Sequence, residues 1–101
     1  MNKTVIFGAS SGGVKVAKTF KSLGIEFEFF VDNGADKWGT YLEGKIILDP
    51  NVLANKDYHI VIASIYQEEI EEQLSNLGIN VNQIVPKEKY ILAELEKRID
   101  K

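Results

Sequence analysis

The chain has 101 residues, of which 45% are hydrophobic and 27% charged, and its formal net charge is −3. This composition is typical of one globular domain over residues 1–101, and the acidic balance argues against a nucleic-acid partner, which would favour a basic face. The absence of cysteine excludes a disulfide framework and a thiolate metal site. No apolar run approaches the roughly 20 residues of a membrane span. Because Met1-Asn2-Lys3 also shows no signal-peptide pattern, we expect a cytoplasmic protein.

The first elements in chain order are a strand, a glycine-rich turn, a helix and a second strand. The apolar strand Thr4–Phe7 leads into the turn at residues 8–13. The helix that follows ends before Gly24 and carries an apolar stripe at helical spacing, formed by Val16, Ala17, Phe20 and Leu23. A second strand at residues 27–31 ends on Asp32. This order predicts a Rossmann-type nucleotide-binding unit, in which backbone N–H groups and a helix N-terminus face a phosphate.

Strands continue to alternate with helices in the rest of the chain. Three further strands are predicted at residues 46–48, 59–63 and 83–85. Ser64 and Gln67 have the spacing of a capping box that opens one helix, and residues 88–101 form a last helix whose apolar stripe is Ile91, Leu92, Leu95 and Ile99. The alternation predicts a three-layer α/β fold with a five-stranded parallel sheet in the order 3-2-1-4-5. The ligand is then expected beside strand 1, at the carboxyl edge where the order reverses.

The glycine turn matches the dinucleotide fingerprint G-x-G-x-x-G at two of its three glycines. Gly8 shapes the turn, and Gly13 must stay small so that the helix can approach strand 1. Ser10 replaces the second glycine, which narrows the space for a pyrophosphate but adds a hydroxyl group, as Ser11 also does. We predict that phosphate is bound by Gly8, Ser10, Ser11, Gly12 and Gly13. The alternative is a turn that merely connects strand and helix.

Asp32 stands nineteen positions after Gly13, where related folds place a carboxylate against ribose hydroxyls. We predict that Asp32 binds ribose and that Asn33 belongs to the same site. No arginine follows to receive a 2′-phosphate, so NAD fits better than NADP. The alternative is that Asp32-Asn33-Gly34 is only a turn. Trp38 either stacks on a base or anchors its loop, and the anchor is favoured.

No catalytic or metal-binding residue is predicted. Tyr41 and Lys45 have the Y-x-x-x-K spacing of short-chain dehydrogenases, but that pair needs a helix to bring both groups to one face. Here the segment contains Gly44 and lies between a loop and a strand. The sequence shows no nucleophile–base pair and no set of metal ligands.

Several segments together resemble a known group of domains. Residues 5–13, 30–33, 37–39 and 46–50 look like the small Rossmann domains of bacterial surface-glycan enzymes. One such relative is the N-terminal domain of sugar O-acyltransferases of the left-handed β-helix type, whose glycine turn contacts a UDP-sugar. Another is the Rossmann domain of nucleotide-sugar dehydratases and epimerases of polysaccharide synthesis. The resemblance implies a UDP-type nucleotide sugar or NAD(P) as the ligand, with phosphate at the glycine turn and ribose at Asp32.

The chain departs from those enzymes because it lacks the parts that carry their chemistry. It has no hexapeptide-repeat domain and no second half with a catalytic tyrosine and lysine. The expected function is therefore a nucleotide-binding module that works with a catalytic domain or partner enzyme. Two alternatives stay open: a minimal NAD-dependent oxidoreductase, and a degenerate Rossmann domain used for assembly. The chain is either a domain of a longer enzyme or a stand-alone module.

Overall fold

The computed structural model describes residues 3–99, with five short strands and three helices. The strands are β1 (Thr4–Phe7), β2 (Phe30–Val31), β3 (Tyr41–Leu42), β4 (Lys45–Leu48) and β5 (His59–Ile62). The helices are α1 (Ser11–Leu23), α2 (Gln67–Asn76) and α3 (Lys87–Ile99). Short 3₁₀ turns lie at Ala35–Lys37, Pro50–Leu53 and Val81–Gln83. Within the described part of the chain, no helix has both the length and the apolar character that crossing a membrane requires.

The sheet has the strand order β3-β4-β2-β1-β5, and both of its faces are covered. Because side chains alternate along a strand, Ile6 of β1 points to the α1 face while Val5 and Phe7 point to the α2 face. The first core includes Phe20 of α1, and the second includes Leu74 of α2. The predicted three-layer arrangement is confirmed.

The predicted sheet is right for four adjacent parallel strands and wrong for the fifth. Strands β4, β2, β1 and β5 are parallel neighbours. The fifth predicted strand, residues 83–85, is instead the end of a 3₁₀ turn followed by one isolated parallel bridge between Ile60 and Ile84. The Asn80 side chain caps that turn, and the Gln83 side chain bonds back to the Asn80 N–H. Because Pro86 follows immediately, only the Val85 N–H continues the pairing, at 2.8 Å from the Ile60 carbonyl.

The fifth strand of the sheet lies at the opposite edge and is antiparallel. β3 pairs with β4 through a tight hairpin, whose two turn residues, Glu43 and Gly44, have φ angles of 49° and 80°. Positive φ at both positions is typical of the turn type that matches the twist of paired strands. The sheet is therefore mixed rather than purely parallel.

The helices begin and end close to the predicted positions, with two differences. α1 ends at Gly24, whose φ of 72° lets its N–H bond back to the last turn. The capping box at Ser64 and Gln67 is wrong: the Ser64 hydroxyl accepts from the Tyr66 N–H, and α2 begins only at Gln67. The predicted stripe on α3 is largely exposed at Ile91, Leu92 and Leu95. The Ile99 side chain and residues 100–101 lie outside the described structure.

Candidate functional site

The glycine turn is held tightly against the neighbouring strands. Gly8 has a φ of 122°, and a Cβ there would lie 2.6 Å from the Ala63 carbonyl oxygen. A Cβ on Gly12 would lie 2.7 Å from the same oxygen, and one on Gly13 would overlap the Gly8 carbonyl oxygen. These contacts leave no room for a larger residue. The close approach predicted for Gly13 is therefore present, and Gly12 shares it.

The N-terminus of α1 opens at this turn without a side-chain cap. Ser10 is the N-cap residue, but its side chain makes no capping bond, and the first turn carries no acidic residue. The first intrahelical bond runs from the Val14 N–H to the Ser10 carbonyl, at 3.0 Å. The N–H groups of Ser11, Gly12 and Gly13 precede that bond and lie at the positive end of the helix dipole. An anion placed here meets both the donors and the dipole.

Asp32 joins the glycine turn to the loop after β2. Its Oδ2 accepts from the Ala9 N–H at 2.8 Å, and its Oδ1 accepts from the Gly34 N–H at 2.7 Å. The bond from the Gly34 N–H is the contact expected if Asp32 is a turn residue, which is the alternative role predicted for it. The side chain is only 17% exposed. Since a carboxylate has about four acceptor positions, these two bonds leave capacity for a ligand hydroxyl.

Lys37 belongs to the same cluster, and the sequence patterns did not single it out. Its Nζ donates to the Ser10 Oγ at 2.8 Å and to the Ala9 carbonyl at 3.4 Å. The same Nζ lies 3.8 Å from the Asp32 Oδ2. Ser10 and Lys37 are 27 residues apart, so no local spacing links them. The only signal available was that Lys37 opens one of the segments that carry the family resemblance.

Asn33 and Trp38 connect the same loop to its surroundings. The Asn33 and Gln73 amides exchange two hydrogen bonds, at 2.9 and 2.8 Å, which ties the loop to α2. The Trp38 indole N–H donates to the Asp32 carbonyl at 2.7 Å. This bond supports the predicted anchoring role, although the Trp38 side chain stays 39% exposed.

Two clefts flank the glycine turn at the carboxyl edge of the sheet. One, of about 410 Å³, lies between the Asp32 loop and α2, and is lined by residues that include Lys37, Tyr66 and Gln73. The other, of about 470 Å³, lies towards α3 and includes Lys15 and Lys87. Gly8, Ser10, Asp32, Ser64 and Tyr66 line both clefts. The site thus combines hydroxyl groups, amides at the start of α1 and lysine side chains, which are groups that bind phosphate, with the carboxylates of Asp32 and Glu69.

Neither a metal-ligand cluster nor a helical tyrosine–lysine pair is found among the residues that the structure describes. Among the described residues, no group of three or more His, Asp or Glu side chains could hold a metal ion. Tyr41 and Lys45 lie in the two strands of the edge hairpin, not on one helix.

The chain matches one family and several solved structures. The family model described as C2185-like, N-terminal, matches residues 1–85. The structure of UDP-D-quinovosamine 4-dehydrogenase from Vibrio fischeri is 25% identical, with a TM-score of 0.61, over 84% of this chain and 76% of that one. No curated protein matches the chain.

Two further structures share the fold at lower identity. RSP, a Rex-family repressor, is 15% identical with a TM-score of 0.60, over 100% of this chain and 64% of that one. RSP in complex with β-NADH is 17% identical with a TM-score of 0.57, over 78% of this chain and 43% of that one. These neighbours confirm a Rossmann-like fold, whereas the resemblance to O-acyltransferases stays a prediction. Since the family model covers most of its length, the chain belongs to the C2185-like, N-terminal family.

Proposed function

We propose that the chain is a nucleotide-binding module for a diphosphate ligand, either a UDP-sugar or NAD. The observation that carries the proposal is the uncapped N-terminus of α1, which opens between two clefts lined by Lys15, Lys37 and Lys87. Two similar structures support it through their ligands: one protein is named for a UDP-sugar, and another was solved with NADH. A phosphate group at α1 would accept from the amides of residues 11–13 and from the Ser11 hydroxyl.

The ribose in this proposal lies at Asp32, with Asn33 at the rim of the same cleft. The Asp32 carboxylate is held in place by the Ala9 and Gly34 N–H groups, so it presents its remaining lone pairs in a fixed direction. Comparing UDP with 2′-deoxy-UDP tests this role without a mutation. Weaker binding of the deoxy compound supports a ribose contact, and equal binding of the two leaves Asp32 as a turn residue only.

The module acts in bacterial surface-glycan biosynthesis, in the cytoplasm, beside a catalytic domain or partner enzyme. It presents a bound nucleotide and carries out no turnover itself, because the groups that line the two clefts are ones that bind and orient a phosphorylated ligand. A minimal NAD-dependent oxidoreductase is the second candidate, favoured by the name of the 25%-identical dehydrogenase. Formation of NADH from NAD and a UDP-sugar would favour that second candidate.

The binding proposal is tested by thermal stability in a panel of ligands. The panel contains UDP, UDP-sugars, ADP, NAD, NADH, NADP, coenzyme A and S-adenosylmethionine. A ligand at 100 times its Kd adds about 2.7 kcal/mol of stability, so a UDP compound, ADP or NAD should raise Tm clearly. If neither the UDP compounds nor ADP and NAD shift Tm, the proposed function is wrong, and the degenerate domain with an assembly role is left.

A further inference from the structure

We propose that Lys37 is a phosphate-binding residue, and that its positive charge attracts the phosphate group next to the ribose. The inference rests on the proposed nucleotide-binding function, and it adds a side chain from the loop after β2 to the groups at the start of α1. It also places a cation beside Ser10, the residue that replaces the second glycine of the fingerprint.

The position of the Lys37 ammonium is the first argument. Its Nζ lies within 2.8 Å of the Ser10 Oγ, 3.4 Å of the Ala9 carbonyl oxygen and 3.8 Å of the Asp32 Oδ2. The Lys37 side chain remains 35% exposed and lines the cleft between the Asp32 loop and α2. The ammonium is therefore held between the glycine turn and the acid, and it still reaches the space a ligand would enter.

The charge of Asp32 is the second argument. A phosphate that approaches α1 next to a ribose on Asp32 would be repelled by this carboxylate, which is only 17% exposed and weakly screened. Lys37 is the cation that forms an ion pair with Asp32. By offsetting the carboxylate charge, Lys37 lets one small site receive both a ribose and an anion.

Ser10 supplies the third argument. In the G-x-G-x-x-G fingerprint the second glycine lets the backbone approach the pyrophosphate closely, and the Cβ of Ser10 narrows that space. The hydroxyl of Ser10 and the ammonium of Lys37 lie together at this position. A charge-assisted bond from Lys37 can thus replace the close backbone contact.

The alternative is that Lys37 only clamps its loop to the glycine turn, and ionic strength separates the two roles. The probes are UDP and ADP, and their Kd is measured by calorimetry for the wild-type chain, Lys37→Gln and the control Lys18→Gln. Lys18 is an exposed lysine of α1 that lines neither cleft of the glycine turn. Both variants remove one positive charge, so a general charge effect appears equally in the two.

We expect Lys37→Gln to weaken the better-bound diphosphate by roughly tenfold to a hundredfold, the usual effect of losing a hydrogen bond to a charged group. Lys18→Gln should stay within about twofold, as expected for a distant, screened charge. The gap between wild type and Lys37→Gln should shrink as salt is added, because salt screens the lysine–phosphate attraction.

Three results would contradict the proposals, and each can be told apart from the other two. If wild type binds neither UDP nor ADP, and neither UDP-sugars nor NAD raise its Tm, the proposed function fails and takes this inference with it; if only UDP-sugars or NAD bind, the better-bound of them replaces UDP and ADP as the probe. If wild type binds and Lys37→Gln binds equally well, only the inference fails. If Lys37→Gln weakens binding by a factor that does not change with salt, Lys37 is a structural clamp and the inference fails as well.

Discussion

Helices α1 and α3 have the same length and a similar sequence pattern, but their apolar faces have different surroundings. Each spans 13 residues and carries an apolar stripe. In α1 the stripe is buried, with Phe20 0% exposed. In α3 the stripe remains open, with Leu92 59% and Leu95 47% exposed. An amphipathic pattern thus predicts a helix and its apolar side, but it does not predict that the rest of the fold covers that side.

The difference follows from how each helix is joined to the sheet. α1 starts directly from β1 through the glycine turn, whose contacts at Gly8 and Gly13 bring the helix close to the strands. α3 starts after Pro86 and contacts the α1-side core through Tyr90. The Tyr90 ring meets the Phe20 ring edge-on, with centroids 4.6 Å apart. Side-chain packing that includes Tyr90 positions α3, whereas close backbone contacts position α1.

The largest expected effect is a loss of stability when a buried residue of α1 is truncated. Phe20→Ala removes a ring that packs between Phe27 and Tyr90 and leaves a cavity. We expect a loss of about 3–5 kcal/mol in the free energy of unfolding, measured by urea denaturation. A loss below about 1 kcal/mol would show that α1 is not the fully packed helix of the pair.

Substituting Gly13, at the start of α1, should change stability in the direction opposite to the usual effect of Gly→Ala in a helix. Gly→Ala within a helix normally stabilises by about 1 kcal/mol. At Gly13 the new methyl group would overlap the Gly8 carbonyl oxygen and lie 3.3 Å from the Phe30 ring. We therefore expect Gly13→Ala to destabilise by about 1–3 kcal/mol and to weaken UDP or ADP binding. Ser11→Ala, which is exposed in the same turn, is the control for stability, and a stabilising Gly13→Ala would contradict the close approach.

Truncating an exposed residue of the α3 stripe should leave stability almost unchanged. Leu92→Ala on α3 removes a side chain that is 59% exposed, so little buried area is lost. The free energy of unfolding should change by no more than about 0.5 kcal/mol, in the same urea experiment as Phe20→Ala. If Leu92→Ala costs as much as Phe20→Ala, the two helices are equally covered in solution and the contrast disappears.

The smallest expected effect is a dependence of stability on alkaline pH, and it arises from Tyr90 where α3 packs against Phe20 of α1. Burial raises the pKa of the Tyr90 phenol above its usual value of 10.0. Well below that pH the phenol is protonated in both states, and stability does not depend on it. Above it the unfolded chain ionises first, so stability falls until the pH passes the folded-state pKa.

Tyr90→Phe lacks the ionisable group and should lose less stability than wild type over the same alkaline range. Denaturant midpoints of both proteins at pH values below and above 10.0 give the comparison. Parallel pH curves for the two proteins would show that Tyr90 is not buried against α1.

The sequence by itself determined the part of the protein built from neighbours along the chain. β1, the glycine turn and α1 are specified by an apolar run, by glycines that the close contacts require, and by a helical stripe that ends at Gly24. The sequence also determines the order of the four parallel strands, because alternating strands and helices allow few topologies. Asp32 was placed correctly at the end of β2 for the same reason.

The tertiary structure alone decided the contacts between distant segments. The Lys37–Ser10 bond joins residues 27 apart and the Asn33–Gln73 pair joins residues 40 apart, so no local pattern encodes either. A strand as short as β3, with two residues, forms because it pairs with its hairpin partner and not because of its own composition. The open stripe of α3 has the same cause. Burial is a property of what packs against a segment, and a periodic sequence describes only the segment itself.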